Sequence, residues 1–184
     1  MKRLVSTFGL LALLALSAVP SFASTIPVDG SWHQFSFGGV GSLASACGGG
    51  CQTIINPTPE QLTGPPWTFS GPAVLTVLDL FMSVDRFQIF DNAVSLGTTS
   101  LESPGGTCDN DLACALTDTH YSKGIFVLGA GNHSITIQMV DSGVGSGSAA
   151  FQVAPATVPE PSTLVLLGVG LGVCGIIGRK RAAR

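Results

Sequence analysis

The residue types able to do chemistry gather in one stretch. Asp109, Asn110 and Asp111 lie between Cys108 and Cys114, and Asp118 and His120 follow within a few residues. Carboxylate and amide oxygens at this density are hard donors of the kind calcium takes, so Asp109 and Asp111 are candidate metal ligands and calcium the candidate cofactor. The spacing departs from the calcium-loop pattern D-x-[DN]-x-[DN]-G, with neither its glycine nor its closing glutamate, and a solvated acidic turn is the competing account. His120 after Asp118 has the composition of a general base and its orienting carboxylate. None of His33, His120 and His133 belongs to H-E-x-x-H, and no serine stands in G-x-S-x-G. A secreted hydrolase would therefore rest on isolated residues, and the expectation is a protein with no catalytic residues. Trp32 and Trp67 are either platforms for sugar rings or fillers of a core.

Five cysteines are present, and Cys174 lies near the C-terminus, leaving Cys47, Cys51, Cys108 and Cys114. In an oxidising compartment an even set forms disulfides, here with three possible connectivities, of which the short spacings favour Cys47 to Cys51 and Cys108 to Cys114. A four-cysteine zinc site is the rival, weakened by the five residues between the second pair. Asp79 interrupts an apolar run and must be hydrogen-bonded, paired or at a strand edge. Arg86, the one arginine between the chain ends, is its expected partner.

The elements that would hold these groups read as strands. His133 to Met139 alternates, with Ile135, Ile137 and Met139 on one face and Ser134, Thr136 and Gln138 on the other. Ile125 to Leu128 precedes it across Gly129-Ala130-Gly131-Asn132, which predicts a hairpin. Ala73 to Met82 is almost continuously apolar, as in a strand covered on both faces, and Val84 to Phe90 follows. Trp32 to Phe37, Trp67 to Phe69 and Ala149 to Val153 add short strands. Gly38 to Gly50 and Asn56 to Pro66 read as long loops. About seven short strands separated by Gly, Pro, Ser and Asn predict an all-β domain, an antiparallel β-sandwich or jelly roll.

Charge is distributed unevenly. The formal net charge is −3, but six of the eight basic residues lie at the two ends. From Ser24 to Val158 only Arg86 and Lys123 oppose ten acidic residues, a balance of −8. Such a surface repels phosphate backbones and argues against nucleic-acid binding.

The ends themselves read as addresses. Lys2 and Arg3, the apolar run from Leu10 to Val19 and the small residues before Ser24 have the order of a signal peptide, residues 1–23, which implies export through the Sec translocon. The exported domain is then 24–158. At the other end Val158-Pro159-Glu160-Pro161 is followed by an uncharged stretch from Leu164 to Ile177 and by Arg179-Lys180-Arg181. Fourteen helical residues reach about 21 Å, short of the roughly 30 Å hydrocarbon core, so the segment predicts a short transmembrane helix that anchors transiently. The basic cluster is its stop, kept on the cytoplasmic side of the inner membrane. Gly170, Gly172 and Gly175 match G-x-G-x-x-G formally, without the βαβ context or acidic residue of a nucleotide site.

Pro159-Glu160-Pro161, the glycine-rich apolar stretch and Arg179-Lys180-Arg181 together resemble the PEP-CTERM sorting signal of Gram-negative bacteria, covering 159–184. The resemblance implies processing by an exosortase, which recognises the Pro-Glu-Pro segment and removes the tail. It also implies delivery to the cell envelope, the cell surface or the extracellular polysaccharide matrix. Leu78-Asp79-Leu80 through Leu96-Gly97-Thr98-Thr99, with Gly131 to Ile137, resembles a domain common in exported PEP-CTERM proteins. That likeness implies a fold and no activity. The expected function is structural or adhesive, in the matrix of a biofilm. A carbohydrate-binding module using Trp32 or Trp67, with or without calcium, is the alternative, and a hydrolase around His120 the third.

Overall fold

The computed structural model describes residues 23–47, 51, 60–61, 64–143 and 145–156. All of the expected signal peptide but Ala23, the sorting motif Pro159, Glu160 and Pro161, the anchor helix and the basic stop Arg179, Lys180 and Arg181 lie outside the described residues. In chain order the elements are β1 (Ser24–Thr25), β2 (Trp32–Phe37), β3 (Ser45–Ala46), β4 (Glu60–Gln61), β5 (Trp67–Asp79), β6 (Arg86–Asp91), β7 (Val94–Thr98), the short helix α1 (Leu112–Thr117), β8 (Lys123–Asp141) and β9 (Gly147–Pro155). Among the described residues no helix is long and apolar enough to cross a membrane.

The all-β, antiparallel expectation holds, but the strands form one hydrogen-bonded sheet in the order β3-β2-β9-β5-β8-β6-β7, with β1 parallel on β5 and β4 parallel on β2. In place of two stacked sheets, the single sheet curls. Residues 41–44, next to the β3 edge, hydrogen-bond to β8: Gly41 N–H to Met139 O at 2.8 Å, Ala44 N–H to Ile137 O at 2.8 Å, and Met139 N–H to Ser42 O at 2.9 Å. This seam continues the line of β5 along β8 and brings the two sides of the curl together.

Alternation explains what the curl encloses. Phe35, Phe37, Trp67, Phe69, Leu75, Val77, Phe87, Ile89, Ile135, Ile137, Phe151 and Val153 all point inward and form the main core. The rings lock edge to face, as Phe35 and Phe37 do on Phe87, with centroids 5.4 and 5.1 Å away. Among the described residues the opposite face is covered at one end. There Trp32, Leu78, Leu80 and Ala150 meet Leu112 and Ala115 of α1, Cys108 and Tyr121 in a second cluster. Leu78 and Asp79 are therefore buried where the sheet is covered on both faces, which accounts for apolar residues on successive positions at that end of β5.

Two connections differ from expectation. The hairpin predicted at Gly129 to Asn132 is a bulge within one continuous 19-residue strand, β8. Leu128 pairs with Ala73 and Gly131 with Gly71, so β8 spends three residue steps where β5 spends two. The extra residue flips the inward set from Phe126 and Leu128 to His133, Ile135 and Ile137. Glycine serves a bulge as well as a turn, so composition alone did not separate them. Gly71 opposite the bulge has no room for a side chain, because a Cβ would overlap the Gly129 carbonyl and lie 2.7 Å from His133 Nε2. The true tight hairpin joins β6 to β7 through Asn92 and Ala93, with φ of 48° and 63°. Both positive values are what a two-residue type I′ turn requires.

Candidate functional site

The chemistry-bearing residues converge at the covered end of the sheet, where β5 ends and the segment 99–122 folds over it. Asp79 is fully buried. Its Oδ1 accepts the Leu80 N–H at 2.8 Å and its Oδ2 the Asp85 N–H at 3.2 Å, so the carboxyl ties both ends of the turn 80–85. That turn needs tying, since Phe81 and Val84 have φ of 68° and 82°. The expected Asp79 to Arg86 pair is absent: Arg86 reaches Thr98 Oγ1 at 3.2 Å, and no ion pair joins the two. The acid already has two backbone donors, and Arg86 sits where β6 begins. Burial, and next the Asp85 charge, push the Asp79 carboxyl up to about 9, so it is a carboxylic acid at neutral pH.

Asp85 is 1% exposed, and burial raises its pKa too, opposed by hydrogen bonds from Ser142 and Gly143. Its Oδ1 accepts the Gly143 N–H at 3.1 Å, and its backbone carbonyl accepts the Ser122 hydroxyl. With that proton committed, the Thr99 hydroxyl must donate to Ser122 Oγ at 3.0 Å, while accepting the Phe87 N–H at 3.0 Å. Tyr121, 1% exposed, is the second hub. Its Oη accepts from Cys108 N at 3.0 Å and Asp109 N at 3.2 Å and donates to Phe81 O at 3.1 Å. No sequence signal marked Tyr121, Ser122 or Thr99, because each acts through a partner more than ten positions away.

Cys108 is bonded to Cys114, and Cys47 to Cys51, the pairing that the short spacings favour. With all four sulfurs in disulfides, none is a thiolate for zinc. Asp111 caps α1: its Oδ1 accepts the Cys114 N–H at 3.0 Å. Asp109, the other calcium candidate, is exposed at φ 53° and its backbone bridges to Phe81. Among the described residues no three His, Cys, Asp or Glu side chains gather as a metal-holding group. The C-terminal end of α1 receives a cation from β8, with Lys123 Nζ donating to Leu116 O at 2.8 Å.

His120 Nδ1 lies 2.7 Å from Asp118 Oδ1, the base-and-orienter geometry its spacing suggested. The Asp118 carboxyl is held below its ordinary range first by the His120 backbone N–H and then by the ring. Among the described residues no hydroxyl or thiol nucleophile is shown hydrogen-bonded to the ring. Trp67 is fully buried and Trp32 is 6% exposed, so both fill core and neither presents a face to a sugar. His33 is fully buried against Phe151, and His133 bonds to Asp91 and Gly129.

A cleft of about 550 Å³ opens beside these groups. Phe37, Leu80, Phe81 and Met82 form its apolar side, with Asp85, Asp109, Ser36, Ser146 and Ser148 supplying carboxyl and hydroxyl groups. Such a mixture suits a small polar ligand with an apolar face.

No curated protein and no solved structure matches the chain. The last described residue of the fold is Ala156, whose N–H reaches Pro72 O at 3.4 Å just past β9. Residues 157–182, which begin there, match the family of the PEP-CTERM protein-sorting motif, so this chain carries the sorting element of PEP-CTERM proteins directly after its β-sheet.

Proposed function

We propose that the protein is a non-enzymatic structural or adhesive component of the cell surface or extracellular polysaccharide matrix, placed there by an exosortase-type system. The sorting motif at 157–182, starting two residues past the end of the folded sheet, carries this reading. A protease reads an extended strip of chain, and proline, the residue type at both ends of Pro159-Glu160-Pro161, disfavours helix and central strand. The chemistry-bearing side chains support a structural role: Asp79 ties a turn, Asp111 caps a helix and Tyr121 binds three backbone groups. Two short-range disulfides suit a domain that works in an oxidising compartment. Replacing Pro159, Glu160 and Pro161 by alanine should leave an unprocessed chain in the membrane fraction; unchanged processing would overturn the reading.

The cleft beside Asp85 and Phe81 favours one second reading, a carbohydrate-binding module whose site is this cleft and not Trp32 or Trp67. A glycan array probed with and without chelator tests it, and absence of binding in both arms would remove it.

A further inference from the structure

The surroundings of His133 are unusual for a histidine. It is 8% exposed, on the inward face of β8 just after the bulge, with its ring on Phe69 at a centroid distance of 5.2 Å. Nδ1 lies 2.7 Å from Asp91 Oδ2, at the end of β6, and Nε2 lies 3.0 Å from the Gly129 carbonyl oxygen, at the bulge. Neither oxygen has a proton to give. A neutral imidazole carries one N–H and one lone pair, so in either tautomer a lone pair would face an oxygen at hydrogen-bonding distance. The imidazolium, with two N–H groups, satisfies both.

We propose that His133 is an imidazolium clasp that fastens β6 to the bulge of β8 and frees the 129–132 segment when it loses its proton. The groups facing the ring are Asp91 from β6, Gly129 from β8, and Phe69 and Gly71 from β5. Among the described residues Asp91 is the one charged group acting on it. Gly71 matters because a Cβ there would stand 2.7 Å from Nε2. Burial pulls the imidazole pKa down, but the Asp91 carboxylate and the Gly129 carbonyl outweigh it and hold the value above the ordinary one. The clasp therefore stabilises fully below pH about 6.5 and is lost as pH rises through the folded value. Release is local. Asn92 still donates to Asn132 O at 3.2 Å and to Ser134 O at 2.9 Å, while Gly129, Ala130, Gly131 and Asn132 are already exposed. An exported domain meets the pH of its surroundings, so the bulge would loosen as they turn alkaline.

The test uses the full chain, labelled with ¹⁵N-histidine, in dodecyl maltoside micelles. Long-range ¹H–¹⁵N spectra should show both His133 nitrogens protonated at pH 6, with a midpoint above 6.5. Amide exchange at Gly129 to Asn132 should accelerate across the same midpoint, beyond the tenfold per pH unit of intrinsic exchange. Asp91→Asn should lower the midpoint by about one unit or more. A singly protonated ring at pH 6, a midpoint at or below 6.5, or a titration that leaves exchange at 129–132 on its intrinsic slope would each overturn the proposal. The wild-type titration decides the question alone if the variant does not fold.

Discussion

Replacing Asp79 by asparagine should flatten the pH dependence of stability and make the two stability curves cross. The wild-type carboxyl is fully buried, and its pKa rises from 3.8 in the unfolded chain to about 9 in the fold. A raised carboxyl pKa gives a contribution fully present below the unfolded value and lost as pH climbs through the folded one. Between pH 4 and pH 7 the unfolded chain gains charge while the fold must keep its proton. At 1.36 kcal/mol per pH unit this removes about 4 kcal/mol, a large share of a small domain's stability. Asp85 and His133, both raised, act in the same direction. Asparagine does not titrate, keeps an acceptor for the Leu80 N–H, and sets its amide hydrogens against the Asp85 N–H at a cost of about 1–2 kcal/mol. The variant should thus be less stable than wild type at pH 4 and more stable at pH 8. Urea unfolding followed by the fluorescence of buried Trp32 and Trp67 measures both. A wild-type stability that is flat or rises from pH 4 to pH 8, or a variant that keeps the full wild-type slope, would refute the assignment of a buried neutral acid.

Tyr121→Phe leaves the N–H groups of Cys108 and Asp109 and the carbonyl of Phe81 without their shared partner, and should cost about 3 kcal/mol by urea midpoint. A loss well under 1 kcal/mol would mean that water replaces the hydroxyl. Gly71→Ala drives a methyl into the Gly129 carbonyl and against His133 and should destabilise by about 3 kcal/mol or more, or prevent folding. A folded variant of wild-type stability would show that the bulge is not as close to β5 as described.

The parts of the fold legible in the sequence are those governed by local periodicity. Trp32 to Phe37 is a strand with the expected bounds, and the inward set Ile135, Ile137 and Met139 follows from alternation alone. Three features were not legible. The 129–132 bulge carries turn composition because glycine relieves the backbone in either setting. The β6–β7 hairpin lacks the Asn-Gly signature, as alanine fills its second positive-φ position. The helix α1 is six residues long, too short for a 3.6-residue period to show. At the candidate site, Asp79 was recognisable as an anomaly, but its partners were not. The expected Arg86 is nearby in sequence, whereas the real donors are backbone N–H groups of its own turn, fixed by burial from α1 and Tyr121. The disulfides were legible because short loops close easily. The calcium candidates read as ligands by type, and the cap formed by Asp111 required knowing where a helix begins.

The proposed processing would release the β-domain from its tail at the Pro-Glu-Pro segment and deliver it outward. Mass spectrometry of the protein recovered from the cell surface and matrix tests it most directly. The account predicts a chain starting at or near Ser24, with both disulfides intact and a C-terminus close to Pro159-Glu160-Pro161, lacking Arg179 to Arg184. Recovery solely as a membrane-bound species extending to Arg184 would contradict it.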